Sequence, residues 1–115
     1  VDFGKGCPVL KNDYELSEAT ATYMRELLGP TKAFTTGQLA AMSGGGSGSK
    51  SAGSEDFAYV SHEVPSIMLA LAAGEPSKGY KYPQHHPMVK FDDAVLAQGS
   101  AVYAYAAMRW LEEHK

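Results

Sequence analysis

"SIMLALAAG", residues 66 to 74, is an unbroken apolar run that ends at a glycine. Short runs of this kind, without polar alternation, are typical of strands that are buried on both faces between layers of helices. The loop 75–91 follows directly, so it would leave the carboxyl end of that strand, where sites collect in open α/β sheets. The run therefore predicts an α/β fold with a candidate site in this loop.

A helical pattern precedes the run. Asn12 is a suitable N-cap residue, and Glu15, three residues later, could complete a capping box. Gly29 and the proline after it end the pattern. Between these signals the apolar residues recur at helical spacing and predict an amphipathic helix: Leu16, Ala19, Tyr23 and Leu27.

Two further helices are predicted on the carboxyl side. Ser54 is expected to cap a short helix that carries Glu55 and Asp56 in its first turn, where the helix dipole favours acidic residues. The last helix is expected from about Asp92 to Glu113, apolar over more than half its circumference and packed deeply against a sheet. Two strands do not make a stable sheet alone, so the chain is expected to be part of a larger α/β domain.

The stretch 43–54, "SGGGSGSKSAGS", is rich in glycine and serine and predicts a flexible loop or linker. A phosphate-binding P-loop is an alternative because Lys50 and Ser51 match its end. However, Ser49 stands where the second glycine is needed, which argues against a nucleotide site. A third reading is that the backbone N–H groups near Gly53 and Ser54 approach an anionic substrate.

Composition excludes several kinds of partner. The net charge is −3 and the ten basic residues do not cluster, so neither nucleic acid nor an anionic membrane surface is an expected partner. No apolar run approaches the roughly 20 residues that span a bilayer. Cys7 is the lone cysteine, which fits a reducing cytoplasm.

The loop "YKYPQHHPMVKFDD", residues 80 to 93, contains the densest group of candidate ligands. Neighbouring side chains in an extended loop point apart, so His85 and His86 are not expected to bind one ion together. A zinc site needs three or four ligands. The residues alone therefore leave two readings open, one metal ligand or two exposed turn histidines ahead of a helix capped by Asp92 and Asp93.

A second histidine motif does not support a zinc site. His62 and Glu63 begin an HExxH pattern, which places two histidines on one face of a helix. The second histidine is required at position 66, which is Ser66. The zinc-protease reading therefore fails.

Several motifs, in order, resemble the carboxyl-terminal part of the metallo-amidohydrolases, a family that includes hippurate hydrolases, aminoacylases and zinc carboxypeptidase-like enzymes. The residues that carry the resemblance are "GCPVLKND" (6–13), "GSEDFAYVSHEVPS" (53–66), "YPQHHPMVKFDD" (82–93) and "AMRWLEEH" (107–114). The family characteristically has a Glu-Asp-Phe motif, a Val-Pro-small segment and a His-x-Pro loop before its last helix. The resemblance extends over essentially the whole chain.

The resemblance implies a three-layer αβα catalytic domain with a mixed, largely parallel sheet. Residues 1–10 would return from a lid domain, and 11–115 would form the last segment of the catalytic domain. The implied activity is metal-dependent hydrolysis of the amide bond of N-acylated amino acids, in a cytoplasmic homodimer formed through the lid domain. The cofactors would be two divalent ions, zinc or manganese, which polarise the carbonyl and lower the pKa of bound water toward about 7.

The resemblance also assigns residues. His85, two places before Pro87, would be a metal ligand; Gly53 and Ser54 would border the substrate, and Glu55 and Asp56 would pack beside the site. No catalytic residue is assigned in this chain. One histidine cannot hold two ions, so the chain alone is expected to be inactive and to bind no metal, and a non-catalytic α/β fragment or adaptor is the alternative.

Overall fold

The computed structural model describes residues 6–42 and 53–115. Half of the predicted connector (1–10) and most of the glycine- and serine-rich loop (43–54), including Lys50, lie outside these ranges. The described parts contain α-helices α1 to α4 and two short 3-10 helices. In chain order these are α1 (Tyr14–Leu28), α2 (Thr36–Met42), α3 (Ala58–Glu63), the 3-10 helices Pro76–Lys78 and Asp93–Val95, and α4 (Leu96–Glu113).

The predicted α/β fold with a mixed, largely parallel sheet is wrong for this structure, since no strand occurs in the described ranges. The apolar run 66–73 passes beside residues 12 and 13, with two hydrogen bonds between them. Asp13 N donates to Ser66 O at 2.8 Å, and Met68 N donates to Asn12 Oδ1 at 3.0 Å. One of these two bonds ends on a side chain, so no ladder forms, and a strand requires a continuous partner backbone.

The first predicted helix is present, but its cap is one residue later than expected. Asp13 is the N-cap of α1, and its Oδ1 accepts from Leu16 N at 2.9 Å. The Asn12 side chain does not cap the helix, because it accepts a hydrogen bond from Met68 N. The helix ends as predicted at Gly29, whose φ of +105° lies in the region that glycine adopts without steric cost.

A capping box does occur, at the start of α2. Thr35 N donates to Gln38 Oε1 at 2.9 Å, and Gln38 N donates to Thr35 Oγ1 at 3.3 Å. Such reciprocal bonds satisfy two backbone donors that a helix N-terminus leaves unpaired. Arg25 of α1 joins this box, with Nη2 donating to Gln38 Oε1 at 2.6 Å and Nε donating to Ala33 O at 3.1 Å. This ties α2 to α1.

The short helix predicted after Ser54 begins later than expected. Residue Phe57 precedes α3, and no side chain caps it. Glu55 and Asp56 therefore lie before α3, where their carbonyl groups accept from Ala58 N and Tyr59 N, each at 3.1 Å. The predicted capping role of Ser54 is wrong, and so is the placement of the two acidic residues in the first helical turn.

The main tertiary contact of the described residues is between α1 and α4. Tyr23 of α1 lies at its centre, with only 2% of its surface exposed. Its hydroxyl donates to Glu113 Oε2 at 2.5 Å, and the guanidinium carbon of Arg109 lies 5.3 Å from its ring centroid. The hydrogen bond to Glu113, together with burial, raises the pKa of Tyr23 to about 12. A polar cluster thus fixes the ends of the two helices.

Arg109 is the centre of that cluster. Its Nε lies 3.1 Å from Glu26 Oε2, and its Nη2 lies 2.9 Å from Glu113 Oε1. Tyr105 also donates to Glu26 Oε2, at 3.1 Å. Because Glu26 lies on α1 and Arg109 on α4, these bonds connect the two helices in register. The contribution of each exposed pair is small, so the network acts mainly to orient the helices.

The last predicted helix is present, but its packing differs from the prediction. A 3-10 turn, Asp93–Val95, comes first, capped by Asp92, and α4 then runs to Glu113. In α4 Val102 is buried, whereas Tyr103 and Leu111 are each more than 60% exposed. The expected deep packing against a sheet is therefore wrong. No helix in the described ranges is long and apolar enough to cross a membrane.

Candidate functional site

The loop 74–91 is closed at its base. Asp92 N donates to Ala73 O at 2.8 Å, so the residues on either side of the loop are joined directly. Just inside the base, Gly74 has a φ of +153°, and Tyr80 lies against its α-carbon. A Cβ added at Gly74 would lie 2.4 Å from the Cβ of Tyr80, so only glycine fits this packing. The base of the loop is thus held by one hydrogen bond and one close packing contact, and the histidine-containing turn lies further along the loop.

Two consecutive turns form the tip of the loop. His86 N donates to Pro83 O at 3.1 Å, and Val89 N donates to His86 O at 2.9 Å. Each is an i to i+3 hydrogen bond of the kind that closes a β-turn. The first turn places His85 at its third position, where a type II turn requires a positive φ. The second places Pro87 at its second position, where proline is favoured.

His85 has the unusual backbone conformation that the first turn demands. Its φ is +71°, a left-handed value that costs a residue with a Cβ about 1–2 kcal/mol. The side chain is exposed and makes no hydrogen bond or ion pair in the described ranges. Strain at a residue without a structural partner is more common at functional sites than elsewhere. The imidazole is therefore available to a ligand.

His86 has the opposite environment. Its ring stacks on Tyr82, with centroids 4.3 Å apart and planes inclined by 13°. Its Nδ1 accepts from Met88 N at 3.0 Å, so that nitrogen is not available to an ion. The structure therefore separates the two histidines into one exposed side chain and one that holds the turn.

Replacing His85 with glycine is expected to stabilise the folded chain by about 0.5–1 kcal/mol, since glycine adopts a positive φ without the Cβ penalty. Urea unfolding of the two proteins measures the difference. His85→Ala is the matched control, because alanine also removes the imidazole but keeps the strain. A glycine variant that is no more stable than the alanine variant would show that the turn is not strained in solution.

The other predicted site residues lie near α3. Glu55 Oε1 accepts from Phe57 N at 3.1 Å, and the Cys7 thiol donates to Glu55 O at 2.9 Å. Ser54, Glu55 and Asp56 make no hydrogen bond or ion pair with the loop 74–91 where the structure describes both. The structure therefore does not join these residues to His85. Their contacts instead attach the segment before α1 to the start of α3.

His62, from the rejected zinc-protease motif, has a similar structural role. Its Nε2 lies 2.8 Å from Val9 O. Ser61 accepts a bond from Lys11 N at 3.2 Å. Both contacts attach α3 to the chain segment that leads into α1.

The donor set within 6–42 and 53–115 does not form a metal centre. No three His, Cys, Asp or Glu side chains in these ranges come together in an arrangement that could hold an ion. His85 fits one ligand position, because its imidazole is exposed and unpaired, but one imidazole does not hold a divalent ion in place. The described residues therefore supply at most one ligand of a metal site.

Tyr82 is the residue of the loop that sequence reasoning missed, and His86 was given no structural role. A signal for both was present: an aromatic residue and a histidine four positions apart, around a proline that favours a turn. Within this loop, resemblance to a family pointed to His85, whose role as a metal ligand stays a prediction.

Comparison with known proteins gives two relatives. A probable hydrolase of Synechocystis sp. is 26% identical over 110 residues, which is 96% of this chain and 25% of that protein. An IAA-amino acid hydrolase of Arabidopsis thaliana is 33% identical over 61 residues, 53% of this chain and 14% of that protein. No profile of a known protein family matches the chain, and no solved structure does.

The chain therefore spans about a quarter of the length of the first relative and less of the second. Both relatives are named as hydrolases, which supports a relationship of this chain to hydrolases. The second is named as a hydrolase that acts on IAA-amino acid. The predicted relationship to hydrolases is confirmed in this coarse form.

Proposed function

We propose that this chain is the part of a metal-dependent amidohydrolase for N-acylated amino acids that contributes one metal ligand, His85. The observation that carries the proposal is the exposed, unpaired and strained His85 at the tip of a loop whose base is fixed. The two hydrolase relatives support the reaction class, and the name of the plant relative supports an acylated amino acid as substrate. Zinc or manganese suits a site that includes an imidazole.

A divalent ion bound there would polarise the substrate carbonyl and acidify a water molecule. In this proposal the chain itself contributes one ligand to the metal site, and not the whole site. The His85 side chain is exposed in the turn, and the bond from Asp92 N to Ala73 O joins the residues that flank the loop. The remaining ligands would come from polypeptide outside the described residues.

The proposal is tested by metal content and turnover of the intact protein that contains this chain, assayed with N-benzoylglycine and related N-acyl amino acids. His85→Ala is expected to remove about one of two bound ions and to lower kcat/KM by a factor on the order of 100 or more. Asp93→Ala serves as a control in the same segment, since the Asp93 carboxylate is exposed and makes no hydrogen bond or ion pair in the described ranges.

Two results would contradict the proposal. An intact protein that purifies with no divalent ion, and gains none on dialysis against zinc or manganese, would instead favour a non-catalytic adaptor. A His85→Ala variant with unchanged ion content and turnover would remove His85 from the site while leaving the hydrolase relationship in place.

A further inference from the structure

We propose that Tyr82 and His86 form a clamp that fixes the direction in which His85 leaves the loop, which makes them positioning residues for the ligand that His85 binds. The part played by His85 rests on the proposed function. The clamp itself rests on contacts within the loop and can be tested without any metal.

The first part of the clamp is the aromatic stack. The Tyr82 and His86 rings are nearly parallel, 4.3 Å apart, and the Lys81 ammonium lies 5.6 Å from the Tyr82 centroid. Tyr82 precedes the first turn, and His86 is its last residue. Stacking the two rings therefore draws the ends of the turn together across the residues between them.

The second part is the set of hydrogen bonds made by His86. Its backbone N–H donates to Pro83 O, its backbone carbonyl accepts from Val89 N, and its Nδ1 accepts from Met88 N. The bonds on its two sides fix both peptide groups of His86. Rotating the His86 ring toward an ion would break its bond with Met88 N and its stack on Tyr82.

These contacts determine the conformation of His85. With Pro83 O and His86 N joined, only residues 84 and 85 span the turn, and His85 is the non-glycine residue that takes a positive φ. The bond from His86 N to Pro83 O holds the peptide group that follows His85, and the backbone conformation of His85 sets the direction of its Cα–Cβ bond. His86 holds the turn in its conformation, and His85 is the residue that binds the ligand.

Four variants of the intact protein separate the parts of the clamp. Tyr82→Phe keeps the stack, whereas Tyr82→Leu removes the aromatic face. His86→Phe keeps a ring but loses the acceptor for Met88 N, whereas His86→Asn loses the ring and keeps an acceptor that can reach a backbone N–H two residues on.

The first readout needs no metal. A residue with positive φ gives a strong intraresidue cross-peak between its amide and α protons in NMR spectra. We expect this cross-peak at His85 in the unmodified protein and in Tyr82→Phe, and its weakening in Tyr82→Leu, His86→Asn and His86→Phe. The same strong cross-peak in Tyr82→Leu and in both His86 variants would overturn the clamp. If Tyr82→Leu alters the amide signals of α1 and α4 as well, the two His86 variants decide.

The second readout is titration with Zn²⁺, followed through the His85 imidazole signals. We expect the apparent Kd to weaken about 10-fold in Tyr82→Leu, as on loss of groups that orient a metal ligand, and to be unchanged in Tyr82→Phe. Equal Kd values for these two variants would contradict a positioning role. If Zn²⁺ leaves the His85 imidazole signals of the unmodified protein unchanged, the metal-binding role of His85 is contradicted. The clamp is then still tested by the cross-peak between the amide and α protons of His85.

Discussion

Replacing Tyr23 with alanine is expected to destabilise the folded chain by about 3–5 kcal/mol, the usual range for loss of a buried aromatic ring. Tyr23 is 2% exposed and lies between α1 and α4, so the cavity would open in the main tertiary contact of the described residues. Among the described residues the other buried side chains are small, the largest being that of Val102, so the surroundings offer little to refill the space. The free energy of unfolding, from urea titration at neutral pH, measures the loss.

Tyr23→Phe is the matched control. Phenylalanine keeps the ring and its contact with Arg109 but removes the hydroxyl that donates to Glu113. We expect it to cost about 1.5–3 kcal/mol, the typical net value of a hydrogen bond to a charged group. Equal losses for the alanine and phenylalanine variants would mean that the hydroxyl, and not ring packing, holds the helices together.

Replacing Gly74 with alanine is expected to cost about 2–4 kcal/mol, because strain and overlap add. Its φ of +153° is unfavourable for any residue with a Cβ, and that Cβ would lie 2.4 Å from Tyr80. Tyr80 must move for alanine to fit, and it belongs to the loop that carries His85. The variant is therefore expected to lose stability in urea and to change the NMR signals of His85.

Gly79→Ala separates the two causes. Gly79 also has a positive φ, +95°, but a Cβ there would have no neighbour within 4 Å. It should show the strain without the overlap, at a cost of about 1–2 kcal/mol. A Gly79 variant as damaging as the Gly74 variant would show that contact with Tyr80 is unimportant.

The helices could be predicted from sequence because their signals are local. The spacing of apolar residues located α1 and α4, and Gly29 gave the end of α1 correctly. The error of one residue at the start of α1 has a non-local cause. Asn12 and Asp13 are comparable caps, and the choice depends on Met68, which takes the Asn12 side chain. A hydrogen bond between residues 56 positions apart cannot be predicted from the local pattern of residue types.

The run 66–74 failed as a strand prediction for a related reason. An apolar composition favours burial of a segment. A strand also needs a neighbouring backbone to hydrogen-bond with, and the described residues do not supply one to this run. At the candidate site, the assignment of His85 as a metal ligand came from resemblance to a family and stays a prediction. The roles of Tyr82 and His86 depend on a turn whose geometry appears only when the loop is folded.

The closed base of the loop 74–91 has a consequence for how its length can vary in evolution. The bond between Ala73 and Asp92 fixes where α4 begins, and the two turns at 83–89 fix the presentation of His85 independently. The 3-10 helix Pro76–Lys78 lies between these two fixed points, is exposed, and takes part in neither. The helix nevertheless joins Gly74 to Tyr80, whose close contact depends on the length of the chain between them. Insertions and deletions are therefore expected to be poorly tolerated there, whereas its exposed side chains suit a spectroscopic label.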